Sequence, residues 1–320
     1  MTPLFTSDFS PYMKDMLEYK EALGFSRSSY QYKLMDFDKF CVTHFPHETT
    51  LSKEMVWQWA RLRPTEKANG LKRRMIAIRE LGKYMNCIGI PAYVIPTGMI
   101  GNFKRYVPHI FTDFELSSFF YAADHFKTDI HQPAKQYIVP VMFRLLYCCG
   151  LRPNEVRTIK HTDMNLETGK LDIRETKMHK DRAVMLAPDV LKLCRNYDGL
   201  IRSLQAESEY FFPHPYEATY SPLWLQYQFW KCWKLAGINE FQGSHPRVYD
   251  FRHNYATRIL QQWMENGRDL YTWLPYLSAY MGHADFSDTA YYIHLLPEHL
   301  TKSEAVDWSR FSDLIPEVTL

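Results

Sequence analysis

A stretch rich in proline and glycine interrupts an otherwise helix-like sequence about one third of the way along this 320-residue chain. Residues 91–111 contain three prolines and two glycines. Proline removes a backbone donor and glycine loosens the backbone, so neither continues a helix well. The stretch therefore predicts a linker between an N-terminal domain, residues 1–105, and a second domain, residues 112–320, which the length of the chain allows.

The N-terminal domain has the sequence pattern of four helices. Apolar residues spaced three and four positions apart, with breaks near glycines and polar caps, place them within residues 9–24, 26–45, 50–62 and 68–89. Four helices of this length predict one small bundle.

The second domain is predicted to be mainly α with a small antiparallel sheet. Helical patterns resume at Thr112 and again from residue 189 onward. Between them, Leu171 alternates with polar neighbours, as does Val184, and the polar residues 177–181 separate the two segments. Alternation on both sides of a polar turn is typical of a β-hairpin.

Composition excludes several classes of protein. The six cysteines are scattered without a CxxC pair, which favours reduced thiols over a disulfide framework or a zinc site. No apolar run approaches the roughly 20 residues of a membrane helix, and the N-terminus lacks the pattern of a signal peptide. We therefore expect a cytoplasmic protein with no membrane partner, no metal and no cofactor.

Charge is unevenly distributed along the chain. The net charge is only +2, yet residues 1–105 hold 16 Lys and Arg against 10 Asp and Glu, while the remainder holds 22 against 26. A basic N-terminal part favours a polyanionic partner, although a solvated helix face has a similar composition.

Five residues in the second domain form an ordered set. An arginine follows an apolar helix in GLRPNE, a lysine enters the predicted hairpin turn, and a second arginine stands early in a helix in YDFRH. A histidine follows a glycine in MGHAD, and a tyrosine comes nine residues after it. The members of the set are Arg152, Lys177, Arg252, His283 and Tyr292.

This set, in this order and register, resembles that of the tyrosine recombinase (phage integrase) family. The resemblance covers nearly the whole chain. It implies that residues 1–105 form a four-helix, SAM-like core-binding domain and that residues 112–320 form the catalytic domain with a C-terminal tail. It also implies double-stranded DNA with inverted-repeat core sites as the substrate.

The chemistry of phosphodiester transfer explains these residue types. Arg152 and Arg252 would hold the non-bridging phosphate oxygens, because a guanidinium stays charged and binds phosphate through two donors. The hydroxyl of Tyr292 would attack phosphorus and form a 3′-phosphotyrosyl intermediate. In the resembled family the equivalent of Lys177 protonates the leaving oxygen, and His283 would bind phosphate or assist proton transfer.

Two neighbours of this set need separate assignments. Glu155, three residues after Arg152, is predicted to orient the site rather than to act as an acid. Tyr291 is the rival nucleophile, but the spacing from His283 selects Tyr292.

One position departs from the family pattern. The family usually carries a histidine three residues before the second arginine, where this chain has Tyr249. A tyrosine can donate a hydrogen bond to phosphate but is a poor proton shuttle near neutral pH. We therefore place Tyr249 in the site and expect other groups to do more of the general-base work.

Polar residues on the second and fourth predicted helices are candidates for DNA contacts. Phosphate contacts give affinity, and base contacts give sequence preference. A merely solvated helix face is the alternative for each residue. The candidates are Ser28, Tyr30, Lys33, Lys72, Arg73, Arg79 and Lys83.

The resemblance thus implies a recombinase that exchanges DNA strands through a Holliday junction, and the role we expect is integration or excision of a mobile element. Residues 295–320 have the spacing of a helix that docks onto a neighbouring protomer in a tetramer, or folds back onto its own domain. Two alternatives stay open: a type IB topoisomerase-like enzyme, and a DNA-binding accessory protein with an impaired site. The expected location is the nucleoid.

Overall fold

The computed structural model describes residues 4–100, 106–127, 132–174, 181–204, 208–238 and 245–296. The chain divides into two compact units, Met1–Tyr106 and Val107–Leu320. The described residues form many helices and one three-stranded antiparallel sheet, which confirms the predicted mainly α class.

The first unit is built on four helices, with a short fifth one inside the predicted linker. Ser52 begins the third helix by accepting a hydrogen bond from the backbone N–H of Met55, as an N-cap serine does. The longest helix packs against the first two. The helices are α1 (Ser10–Ala22), α2 (Ser28–His44), α3 (Lys53–Trp59), α4 (Ala68–Cys87) and α5 (Thr97–Ile100).

A buried arginine fastens the end of α3 to α4. Arg74 donates to the carbonyl oxygen of Trp59 at 2.7 Å and forms an ion pair with Glu66 at 2.5 Å. Its guanidinium also stacks 4.6 Å from the Trp59 ring centroid. Because its charge is paired and its donors are used, burial of Arg74 is tolerated in this core.

The second unit contains eight helices among its described residues, and caps mark several of their starts. Thr112 and Glu115 form a capping box at the start of the first. The helices are α6 (Asp113–Asp124), α7 (Lys135–Cys149), α8 (Pro153–Arg157), α9 (Pro188–Leu204), α10 (Pro222–Leu235), α11 (Asp250–Glu265), α12 (Leu270–Met281) and α13 (Ser287–Ala290).

Helix α7 is the centre of this unit. It is apolar on most of its surface and packs against α6, α9 and α11, which explains why its sequence shows no polar face. Phe251 of α11 is fully buried beside it, with its ring centroid 5.0 Å from Phe111 and 5.3 Å from Phe119. This aromatic cluster fixes the first turn of α11.

The sheet has the strand order β1-β2-β3, with β1 at Met164–Asn165, β2 at Lys170–Ile173 and β3 at Arg182–Met185. Strands β2 and β3 are antiparallel, and Leu171 faces Val184. The hairpin is therefore where the alternation predicted it, whereas β1 was not predicted. Lys177, in the connection between β2 and β3, lies outside the described residues.

No helix in the described part of the chain is both long and apolar enough to cross a membrane. Across the same residues, no three or more His, Cys, Asp or Glu side chains are grouped so that they could hold a metal ion.

Candidate active site

Two helices of the second unit end at left-handed glycines. Gly150 follows α7 with φ 60°, and Gly282 follows α12 with φ 64°. The last carbonyl groups of a helix have no partner within the helix and carry partial negative charge. A Cβ at Gly150 would lie 2.6 Å from Cδ1 of Tyr255, so this position has no room for a side chain.

Guanidinium groups bind the carbonyls at these two helix ends. Arg252 donates from Nη1 to the Gly150 oxygen at 2.7 Å and from Nη2 to the Met281 oxygen. Arg152 donates from Nη2 to the Gly282 oxygen at 2.5 Å. Two arginines that are 100 positions apart in the sequence are thereby held at one location by backbone carbonyls.

Glu155 connects Arg152 to a third arginine. The Glu155 carboxylate accepts from Arg152 Nη1 at 2.8 Å, and from Arg182 Nη1 and Nη2 at 2.9 and 2.8 Å. Burial alone would raise the pKa of Glu155, but the hydrogen bonds and charge of Arg182, and then of Arg152, lower it to about 2. Glu155 is therefore a permanent anion that orients both arginines.

The charges of this cluster suit a phosphate group. Arg152 and Arg182 bind the single carboxylate of Glu155, and Arg252 lies within electrostatic range of it, so the cluster has a surplus of positive charge. A phosphodiester gains negative charge as a nucleophile adds to phosphorus, and fixed positive charge stabilises that state.

Tyr292 lies against Arg252. It belongs to the 3-10 turn Tyr291–Leu295, which packs on α11, and its side chain is buried with 3% of its surface exposed. Burial raises the pKa of the Tyr292 hydroxyl, and the charge of Arg252 opposes that rise. The hydroxyl therefore needs a base, a cation or both in order to become a nucleophile.

His283 stands beside the same residues. Its Nδ1 is 2.7 Å from Oγ1 of Thr289, and its ring centroid is 5.9 Å from that of Tyr292. Burial, and then the charges of Arg252, Arg152 and Arg182, lower the pKa of His283 to about 3. The imidazole is accordingly neutral at neutral pH.

Tyr249 lies at the edge of the site and is linked to Tyr292 through a second histidine. Tyr249 precedes the first turn of α11 and is 36% exposed. Its ring centroid is 5.1 Å from that of His253, which is in turn 5.6 Å from that of Tyr292.

The structure therefore gathers four of the six candidate catalytic residues at the two helix ends, with Tyr249 at the edge and Lys177 outside the described residues. Glu155 is hydrogen-bonded to Arg152 and to Arg182 in this cluster. Two residues were missed, although the sequence carries a signal for each. Arg182 is two positions before Val184 and so faces the core side of β3, and His253 is one helical turn after Tyr249.

Two of the candidate DNA contacts are engaged inside the first unit. Arg79 donates from Nε to the Ile95 oxygen at 2.9 Å and from Nη2 to Thr97 Oγ1 at 3.1 Å. Lys83 Nζ is 2.8 Å from Oε1 of Glu80. Arg79 thus ties α4 to the segment that follows it.

The other candidates lie along α2 and the start of α4. Lys33 Nζ donates to the Ser29 oxygen at 2.6 Å, and burial followed by the charge of Arg73 lowers the pKa of Lys33. Arg73 itself is exposed, so the two cations form a positive surface across α2 and α4. Of the remaining candidates, Ser28 is exposed, and Tyr30 and Lys72 are half-buried.

Comparison with known proteins places this chain in a family. The phage integrase family profile matches residues 112–299. Putative integrase/recombinase y4rB of Sinorhizobium fredii (strain NBRC 101917 / NGR234) is 27% identical over 299 residues, which cover 91% of this chain and 94% of that protein. The chain spans about half the length of other curated relatives, such as 51% of tyrosine recombinase XerA of Pyrococcus furiosus, at 30% identity over 163 residues.

A solved structure shares the fold. The XerH site-specific recombinase bound to palindromic difH substrate in a post-cleavage complex matches with a TM-score of 0.64 at 19% identity, covering 95% of this chain and 85% of that one. The chain therefore belongs to the phage integrase family and is an enzyme of the tyrosine recombinase class.

Proposed function

We propose that this protein cleaves and rejoins double-stranded DNA at a specific site through a covalent bond between Tyr292 and a 3′-phosphate. The observation that carries the proposal is the position of Tyr292 against Arg252, in the same cluster as Arg152 and His283. Tyr292 combines a buried hydroxyl with the adjacent guanidinium of Arg252, whose charge and hydrogen bond favour the ionised phenolate.

The proposed step balances as a transesterification. The Tyr292 oxygen forms a bond to phosphorus while the bond to the 5′-oxygen breaks, and the two guanidiniums of Arg152 and Arg252 hold the non-bridging oxygens. The hydroxyl proton leaves Tyr292, and the departing 5′-oxygen gains a proton from Lys177. Because the phosphodiester energy is retained in the tyrosyl ester, the reverse step rejoins DNA without ATP or metal.

The first unit would hold the core DNA site, and Arg73 and Lys33 are the described cations best placed to contact phosphate. We further propose that four protomers join two duplexes with inverted-repeat core sites, with the tail of residues 295–320, which lies outside the described residues from 297 onward, docking between protomers. Integration or excision of a mobile element is the proposed biological role, carried out on the nucleoid.

A suicide substrate tests the proposal. The DNA flanking the gene supplies the candidate core site. A nick placed next to the cleavage position allows the short fragment with the new 5′-hydroxyl to diffuse away, so the covalent adduct accumulates. We expect a covalent protein–DNA adduct with the wild-type chain and none with Tyr292→Phe. The matched control is Tyr291→Phe, which removes the neighbouring hydroxyl and should leave the adduct in place.

The same assay separates the alternatives. Sequence-specific DNA binding without adduct would identify an accessory protein. Adduct formation with relaxation of supercoils, but without pairing of two core sites, would identify a topoisomerase-like enzyme.

A further inference from the structure

His253 occupies a position that the assigned catalytic roles do not explain. It follows Arg252 in the first turn of α11, and its ring is close to those of both Tyr249 and Tyr292, with centroid distances of 5.1 and 5.6 Å. Its Nδ1 is shut off from solvent, and no group in the described part of the chain forms a hydrogen bond with it. Leaving a buried polar atom unpaired costs stability, so such an atom calls for an explanation.

The surroundings of His253 keep its imidazole neutral. Burial, and then the charges of Arg247 and Arg252, lower the pKa of His253 to about 3. The other titratable groups that face it are Tyr249, Tyr292 and His283. A neutral imidazole with a free nitrogen is able to accept a proton at neutral pH.

The reaction needs such an acceptor next to Tyr292. Burial raises the pKa of the Tyr292 hydroxyl, so its proton does not leave unaided at neutral pH. Tyr249 is a phenol and cannot take that proton efficiently. The described groups near Tyr292 that could take this proton are the exposed carboxylate of Asp288 and two imidazoles, and both imidazoles have their rings close to that of Tyr292.

The contacts of His283 and His253 indicate different roles for the two side chains. His283 uses Nδ1 to contact Thr289 and feels the charges of all three site arginines, so it belongs to the positive cluster that would receive phosphate. His253 faces two arginines and the two tyrosine rings, with its Nδ1 unused.

We propose that His253 is the general base that takes the proton from Tyr292 and thereby supplies the imidazole that the Tyr249 position lacks. This inference rests on the proposed strand cleavage. As the Tyr292 oxygen bonds to phosphorus and the 5′-oxygen leaves, the phenolic proton passes to the imidazole of His253, and it returns when the 5′-hydroxyl attacks the tyrosyl ester. The negative charge of the phosphate, arriving beside Arg252, raises the proton affinity of His253 at that stage.

The test measures single-turnover cleavage of the nicked suicide substrate as a function of pH. We expect His253→Gln to cleave about 100-fold more slowly at pH 7, within the usual contribution of a general base. The rate of the wild type should be nearly constant from pH 7 to 9. That of the variant should rise about tenfold per pH unit, because hydroxide must then remove the phenolic proton.

A second substrate distinguishes loss of the base from loss of the acid. When sulfur replaces the bridging 5′-oxygen, the leaving thiolate needs no proton. This substrate should restore cleavage by Lys177→Ala and leave His253→Gln slow. The control is His125→Gln, which changes an exposed histidine at the end of α6 and should cleave at the wild-type rate.

Each outcome decides the matter. A wild-type rate for His253→Gln, or its recovery with the sulfur substrate, would overturn the role of His253. Failure of the wild type to form adduct would instead overturn the proposed strand cleavage. If His253→Gln does not fold, as judged by thermal unfolding, His253→Asn is compared in the same way. Restoration of cleavage in the double variant Tyr249→His, His253→Asn would support the proposal that His253 does the work of a histidine at position 249.

Discussion

Arg182 and Glu155 are joined by two parallel hydrogen bonds, 2.9 Å from Nη1 to Oε1 and 2.8 Å from Nη2 to Oε2, and both side chains are more than 90% buried. The same carboxylate binds Arg152, so one anion positions an arginine from the sheet and an arginine from the start of α8. The strand that carries Arg182 directly follows the connection that contains Lys177. Glu155 therefore couples the hairpin to the arginine cluster.

Removal of Arg182 should destabilise the fold. Arg182→Ala leaves Glu155 buried with one partner fewer, and breaking a buried pair in this way costs about 3 kcal/mol in free energy of unfolding. Urea unfolding followed by circular dichroism measures it. The control is Asp124→Asn, which breaks the more exposed ion pair with Arg144 and should cost less than about 1 kcal/mol. Equal losses in the two variants would contradict the assignment.

The ionised form of Glu155 should contribute stability that depends on pH. Its pKa in the folded state, about 2, lies below the ordinary value of 4.5, so the contribution is fully present above pH 4.5 and is lost as the pH falls toward 2. The difference in free energy of unfolding between the wild type and Glu155→Gln should therefore shrink between pH 4.5 and 2. Urea unfolding at several pH values measures this difference, and a constant difference would refute the prediction.

The burial of His253 should make the free energy of unfolding depend on pH at higher pH values than Glu155 does. Unfolded histidine binds a proton below about pH 6.5, whereas folded His253 does so only near pH 3. Since stability rises with pH wherever the unfolded state binds more protons, His253 lowers stability as the pH falls from 6.5 to 3, by up to about 1.4 kcal/mol per pH unit. His253→Gln should flatten the stability curve over that window. Parallel curves for the two proteins would show that His253 is not buried as described.

A methyl group at Gly282 should disturb the arginine cluster. Gly282→Ala places a left-handed alanine whose Cβ would lie 3.1 Å from Nη1 of Arg182 and 3.5 Å from Nη1 of Arg152. Gly267→Ala is a close control, because Gly267 has a similar φ of 67° but nothing within 4 Å of the added Cβ. Both variants should lose about 1 kcal/mol of stability from backbone strain. Only Gly282→Ala should slow suicide-substrate cleavage, and equal cleavage rates would argue against crowding of the cluster.

Two arginines on α4 should behave differently toward DNA. Arg73 is exposed, so Arg73→Ala should weaken binding and reduce the slope of log affinity against log salt by about 1. Arg79 donates to Ile95 and Thr97, so Arg79→Ala should chiefly lower the thermal unfolding temperature of the protein. Fluorescence anisotropy across a salt series measures the slopes. A larger decrease in this slope for Arg79→Ala than for Arg73→Ala would contradict the assignment of Arg73 to phosphate contact.

Local sequence patterns predicted the elements whose signals are local. Thr112 and Glu115 are three residues apart and form the capping box at the start of α6, and the alternation around Leu171 and Val184 located the hairpin. Strand β1 has only two residues, too few for any periodic signal, and it exists because it pairs with β2. Its position depends on tertiary structure and could not be predicted.

The candidate site could likewise be predicted only in part. The order and spacing of the motifs identified Arg252 and Tyr292 as site residues, but not what holds them. The anchoring of Arg252 by the carbonyls of Gly150 and Met281 depends on how α7 and α12 end near each other, which no sequence spacing encodes. Arg182 was overlooked because an inward-facing arginine on a strand is informative only once its partner Glu155 is known.

The anchoring of Arg152 and Arg252 by main-chain oxygens affects how such a site can evolve. A carbonyl group is present whatever amino acid occupies the position, so substitution of side chains around these two helix ends leaves the acceptors in place. Relatives can diverge widely in the surrounding residues and still present the same pair of guanidiniums, provided that the two helices keep their lengths and stop at the same points. Insertions or deletions within α7 or α12 would be far more damaging to this enzyme than most point mutations.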